Sequence, residues 1–210
     1  SPWTGIGYMG VLAGFFILSF YGVVGGWAFA YVVKSITGSV LAFPSPKEAG
    51  DFFGNFIGNT GEVLFYHALF MGTCIAIVLR GVHGGIERAC DLLMPTLVVI
   101  LFLLMIRSLT LDGAMEGVAF YLTPDFGKIN TNVILIALGQ AFFSLSLGMG
   151  CMITYGSYLS EKENLTSCTV YVVMFDTLIA LLVGMVIFPA VFAMGLEPTE
   201  GPGLVFSVLP

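Results

Sequence analysis

Long apolar runs, each broken by at most one charge, dominate the chain. Residues 5–41 hold a single charge, Lys34, and residues 63–79 hold none, with His67 as the one imidazole. Residues 92–106 are apolar apart from Thr96, and residues 171–196 carry only Asp176. A bilayer-crossing helix needs roughly 20 mostly apolar residues. With their flanks, these runs predict helices over about 5–41, 61–81, 87–109 and 165–195. A fifth, about 131–159, contains GQAFFSLSLGMGCMITYGSY, Gly139 to Tyr158, with four glycines, three serines and a glutamine. The expected fold is all-α: a polytopic membrane helix bundle forming one partial transmembrane domain over 1–210, with an extracellular loop at 196–210.

The fifth run is the one whose composition works against a helix. Gly148 and Gly150, with Ser144 and Ser146, lower helix propensity together. Serine side chains also offer the backbone other hydrogen-bond partners. The pattern predicts a broken helix at 144–150. Carbonyls freed at the end of the first half are hard oxygen ligands suited to Na⁺ or an ammonium group. Amides freed at the start of the second favour an anion, so one segment could hold a zwitterion. Irregular backbone at this depth is tolerated where protein buries it or a polar cavity meets it. Close helix packing through small residues accounts for the same composition, and spacing alone leaves both readings open.

Polar groups inside spans are candidate functional groups. Asp176 is the one carboxylate deep in a span. It is either a neutral carboxyl bonded to another helix or the partner of a bound cation or proton. Tyr21 lies mid-span, and its hydroxyl requires a partner; Gln140 raises the same question one turn before the break. His67 is assigned to helix packing. Pro95 and Pro189 read as tolerated kinks.

Composition narrows the class further. The chain is 58% hydrophobic and 10% charged, against about 25% charged in soluble domains. Its net charge of −6 comes without a Lys/Arg cluster, which excludes nucleic-acid binding. Cys74, Cys90, Cys151 and Cys168 fit no metal spacing and offer no external disulfide, so they read as packing thiols. The first residues, SPWTGIGYMG, lack a basic n-region, and the abrupt ends suggest a fragment. Long connections (42–60, 110–130) alternate with short ones (80–86, 160–164). Arg80 and Arg88 put the short side in the cytoplasm. The Asn164-Leu165-Thr166 sequon then lies on the cytoplasmic side, where it is a chance match.

Four ordered blocks carry a resemblance: RGVHGGIER with LLMP after it, FYLTPDFGKI, AFFSLSLGMGCMITYGSY and GPGLVFSVLP. Together they resemble the neurotransmitter:sodium symporters, prokaryotic type, over segments three to seven and the fourth extracellular loop. The resemblance implies a partial LeuT-type inverted-repeat fold in a plasma membrane, and sodium-coupled uptake of a hydrophobic or aromatic amino acid by alternating access. Tyr21 matches a tyrosine contacting the substrate carboxylate, and Ile17 lines the same pocket. Phe143 matches an aromatic lid. The carbonyls of Phe143, Ser144 and Ser146 would accept from the substrate amino group, and Met149 would form the side-chain wall. Gln140 and Tyr158 match residues of the outer and cytoplasmic gates. Ser144 would ligate sodium. Counted back from Pro189, Asp176 falls one residue past a sodium-binding asparagine of a bacterial member. The implied role is a fixed negative charge beside sodium, making chloride unnecessary. Segments one, two and eight onward are the implied missing partners, with membrane lipid around them. A sodium-dependent sensor of the same fold is the alternative. An intramembrane enzyme using Asp176 would need a second carboxylate, and Glu62, Glu87 and Asp91 all sit at span ends.

Overall fold

In the computed structural model the described residues are 3–40, 46–160, 163–195 and 206, and every regular element among them is helical. The helices are α1 (Thr4–Ile36), α2 (Pro46–Gly58), α3 (Thr60–Val78), α4 (Arg88–Leu109), α5 (Ala114–Leu122), α6 (Thr131–Ser144), α7 (Cys151–Tyr158) and α8 (Leu165–Ala193). A π-helical turn, Val82–Glu87, runs directly into α4. Among the described residues, Thr4–Ile36, Thr60–Val78, Val82–Leu109 and Leu165–Ala193 are each long and apolar enough to cross a membrane. The fifth run is divided between α6 and α7, and neither half reaches that length alone.

Caps explain where the helices stop. The expected span 5–41 ends at Ile36 because Gly38 takes φ +81°. Its N–H donates to the Ser35 carbonyl at 3.1 Å, while the Ser39 N–H reaches back to Lys34 at 2.9 Å. This is the Schellman closure that a left-handed glycine permits. The expected span 61–81 likewise stops at Val78, three residues before Gly81 at φ +79°. Asn164 accepts from the N–H groups of Thr166 and Ser167 at 3.1 and 3.2 Å, so the side chain of the sequon caps α8.

Three connections differ from expectation. The stretch 80–86 is not a plain loop, since most of it is wound into the π turn. There Gly85 lies against the Ile77 carbonyl with no room for a side chain. Residues 42–60 and 110–130 hold α2 and α5, which their glycines and asparagines disguise. α2 exists because it is amphipathic: Phe52, Phe53 and Phe56 turn to one side while Asp51, Gly54 and Asn55 stay exposed on the other. The expected extracellular loop 196–210 lies outside the described residues, apart from Phe206.

The contacts form two compact units, Ser1–Ser19 with Thr123–Leu181, and Phe20–Leu122 with Leu182–Pro210. In the second, α1 meets α3 main chain to main chain. A Cβ built on Gly26 would stand 2.8 Å from the Cα of His67, and one on Gly22 would meet the His67 ring. His67 is therefore a packing residue of this crossing. Further along, Tyr31, Phe56 and Phe206 pack with Trp27, Phe52 and Phe53. The Phe53 and Phe206 rings stack at 5.2 Å. The Lys34 ammonium sits 2.7 Å from Glu62 at the start of α3, and 5.0 and 5.3 Å over the Phe52 and Phe56 rings of α2. One cation thus ties three helices together. Elsewhere in this unit the buried Ser108 hydroxyl donates to the Val186 carbonyl at 2.7 Å. That contact falls one turn ahead of Pro189, where a proline disturbs the ladder and side-chain donors compensate.

The α1–α3 crossing gives a test in the full-length protein. Gly26→Val should lower thermal stability in detergent by about 1–3 kcal/mol, the usual cost of overpacking. Gly54→Ala, where nothing stands within 4 Å, should not lower it. Equal melting temperatures for Gly26→Val and the parent would disprove the crossing.

Candidate ion and substrate site

The break lies in the first unit. α6 begins at Asn130, whose side chain accepts from the Val133 N–H at 3.0 Å, and ends at Ser144. There the Ser146 N–H donates to the Phe143 carbonyl at 3.0 Å and the Leu147 N–H to the Phe142 carbonyl at 2.8 Å. This is the same closure that ends α1, but Ser146 occupies the left-handed position where α1 has Gly38. Its φ of +55° makes it the one non-glycine with positive φ among the described residues. Such a conformation costs about 1–2 kcal/mol, and strain of this kind gathers at functional sites. Gly148 and Gly150 follow at φ +78° and +79°, and Gly150 starts α7 without a side-chain cap.

The closure satisfies the carbonyls of Ala141, Phe142 and Phe143 through Leu145, Leu147 and Ser146. Those of Ser144 and Ser146 receive no backbone donor among the described residues. They stand at the C-terminal, partially negative end of α6. The Ser144 hydroxyl is 2.7 and 2.9 Å from the two carboxylate oxygens of Asp176 on α8. A single hydroxyl proton shared between two oxygens leaves the serine oxygen's lone pairs, and most of the carboxylate's, still able to accept. Main-chain carbonyls, a hydroxyl and one carboxyl group make a hard-oxygen set that carries at most one negative charge. Among the described residues no three His, Cys, Asp or Glu side chains cluster as a metal site. Divalent ions are commonly held by several carboxylates or kept partly hydrated, whereas one charge matches a monovalent cation.

The other predicted residues lie on α1, α6, α7 and the break between the last two. Phe143 is adjacent and 45% exposed, Gln140 lies one turn earlier on α6, and Ser146 forms the strained corner. Ile17 lies half-buried on α1 in the same unit. Tyr21, one turn along α1, belongs to the second unit. Tyr158 ends α7, a whole half-helix away from the break. Met149 lines a mostly apolar cavity of about 510 Å³ with Gly7, Tyr8, Gly14, Cys151 and Thr154. Gly10 on the same wall was not foreseen. A Cβ there would stand 3.0 Å from the Gly150 Cα, and the signal for it was Gly7, Gly10 and Gly14 at helical spacing.

A family model described as Sodium:neurotransmitter symporter family matches residues 51–209. The chain belongs to this family. A sodium-dependent transporter of Bacillus subtilis (strain 168), itself uncharacterised, is 46% identical over 210 residues, covering 100% of this chain and 46% of the relative. The sodium-dependent serotonin transporter of Drosophila melanogaster is 28% identical over 249 residues, 98% of this chain and 40% of its own. The crystal structure of MhsT in complex with L-phenylalanine superimposes with a TM-score of 0.92 at 52% identity, covering 100% of this chain and 48% of that one. The chain thus spans about half the length of the relatives it matches. The family consists of multi-pass membrane transporters, not enzymes, so the intramembrane-enzyme alternative falls away.

Ser146→Gly should raise thermal stability by up to about 1 kcal/mol by relieving the left-handed strain, and Ser146→Val should lower it. A drop in melting temperature for the glycine variant would show that Ser146 is not strained.

Proposed function

We propose that these residues form about half of a sodium-coupled amino-acid symporter, with the cation bound at the end of α6. The observation that carries the reading is the Ser144 hydroxyl on the Asp176 carboxylate beside carbonyls released by the break. Sodium is held by Ser144 and Asp176. The substrate amino group takes the carbonyls of Phe143, Ser144 and Ser146, Tyr21 receives the substrate carboxylate, and Ile17 and Met149 line its side chain. Gln140 and Phe143 belong to an outer gate and Tyr158 to a cytoplasmic one. A hydrophobic or aromatic amino acid is the expected cargo. A flexible thioether wall at Met149 suits it, and the similar MhsT was crystallised with L-phenylalanine.

Coupling follows from electrostatics. Opposite unit charges about 4 Å apart attract by about 1 kcal/mol in water and about 4 kcal/mol where the effective dielectric constant is near 20. A cation beside Asp176 and a substrate carboxylate in the same water-poor pocket therefore stabilise each other, so neither binds well alone. Alternating access then moves a helix bundle about the fixed site. Because Asp176 supplies a permanent negative charge next to the cation, a mobile anion is unnecessary, and transport proceeds without chloride. Segments of the full-length protein beyond these residues complete the site.

The test is uptake into proteoliposomes by the full-length protein, offering radiolabelled amino acids with sodium or choline outside and chloride or gluconate throughout. Sodium-dependent accumulation of a hydrophobic or aromatic amino acid, equal in chloride and gluconate, is expected. Asp176→Asn should raise the sodium concentration for half-maximal uptake about tenfold or more, since a hydrogen-bonded charge contributes about 1.5–3 kcal/mol. Saturable sodium-dependent binding with no accumulation would instead make the protein a sensor. Indifference to sodium would remove the cation from the break altogether.

A further inference from the structure

We infer that Gly10 of α1 is a positioning residue for the second half of the broken helix, acting on substrate affinity through Met149 and Gly150. The inference rests on the symporter reading above. Around Gly10 a Cβ would lie 3.0 Å from the Gly150 Cα, 3.5 Å from the Gly150 nitrogen and 3.5 Å from the Met149 carbonyl oxygen. The reverse holds too, because a Cβ on Gly150 would meet the Gly10 Cα at 3.0 Å. These are contacts between two main chains, with no flexible side chain to give way.

Gly150 is the residue most in need of such a support. It starts α7 at φ +79° with no side-chain cap, and the bonds its carbonyl accepts, from the Ile153 and Thr154 N–H groups at 3.1 and 3.3 Å, lie within α7 itself and do not fix the direction in which α7 leaves the break. The left-handed glycine supplies freedom, and the surface of α1 removes it. Gly10 thereby sets where the Met149 main chain runs and which wall of the 510 Å³ cavity it forms. Ser144 and Asp176 stand before the break and on α8, outside this contact. Gly7 and Gly14 line the same cavity one turn to either side, yet nothing lies within 4 Å of the Cβ each would carry. The stripe therefore contains one contact point and two open positions.

The experiment uses the full-length protein in detergent and measures equilibrium binding of radiolabelled L-phenylalanine in sodium, with binding capacity and Kd determined separately. Sodium binding without amino acid is followed through protein fluorescence. Gly10→Ala should raise the Kd roughly fivefold or more and Gly10→Val further, the scale of sub-ångström misplacement of a binding group. The sodium half-saturation should stay within about twofold of the parent, as for a site not touched by the change. Gly5→Ala, on α1 outside the cavity lining and with nothing within 4 Å of the added Cβ, should leave both quantities within about twofold. Alanine improves the helix propensity of α1, so unwinding of that helix cannot produce the expected result. A purely structural role would lower capacity at constant Kd, which overturns the inference. So does an unchanged Kd in Gly10→Ala, or an equal rise in Gly5→Ala. If the parent binds none of a panel of hydrophobic and aromatic amino acids, the symporter reading fails first and this inference with it.

Discussion

A peptide group inside a bilayer has no water to turn to, so a main chain that leaves the helical ladder must find its partners within the protein. The organisation around Ser144–Gly150 follows from that constraint. Three N–H groups fold back on α6, the carbonyls of Ser144 and Ser146 receive no backbone donor among the described residues, and the Ser144 hydroxyl turns to Asp176. A soluble protein could leave such a corner to solvent. Here the unpaired oxygens are a standing cost unless a ligand meets them, which is why a break in a membrane helix reads as a binding site more readily than a break elsewhere.

Much of this was legible in the sequence, for reasons that differ from element to element. The four long spans follow from run length alone, and the break follows from Gly148, Gly150 and two serines placed where continuous helix was otherwise expected. The helix ends were less legible. An apolar run says where lipid is, while the end of α1 is decided by Gly38 adopting a left-handed φ inside the run. α2 was hidden by Gly50, Gly54 and Gly58, whose low propensity is overridden by three phenylalanines packing against Tyr31 and its neighbours. The π turn has no composition cue comparable with a proline or a capping residue.

Within the site, the types of residue could be anticipated but not their meetings. Asp176 was conspicuous as a charge in an apolar run. Nothing in the sequence links it to Ser144, because the two lie 32 positions apart and no periodicity joins α6 to α8. The resemblance to sodium symporters supplied that link, and the hydrogen bond gives it a geometric basis. The strain at Ser146 and the contact at Gly10 were invisible for the opposite reason. Both depend on backbone positions that any small residue could occupy, and only coordinates distinguish the loaded position from its neighbours.

The Lys34 clamp has a consequence for the setting in which the protein works. An ion pair in open water weakens as ionic strength rises, with a screening length of about 8 Å at physiological salt. The side chains of Lys34 and Glu62 are only 17% and 30% exposed, and aromatic rings share the cation. Mobile ions cannot readily enter that space, and a ring quadrupole in contact with the ammonium offers them little to screen. The helix α2 is therefore fastened to α1 and α3 by an attachment less sensitive to dissolved salt than an open surface ion pair. On the function proposed above, α2 stays seated on α1 and α3 whatever the concentration of the ion at the break.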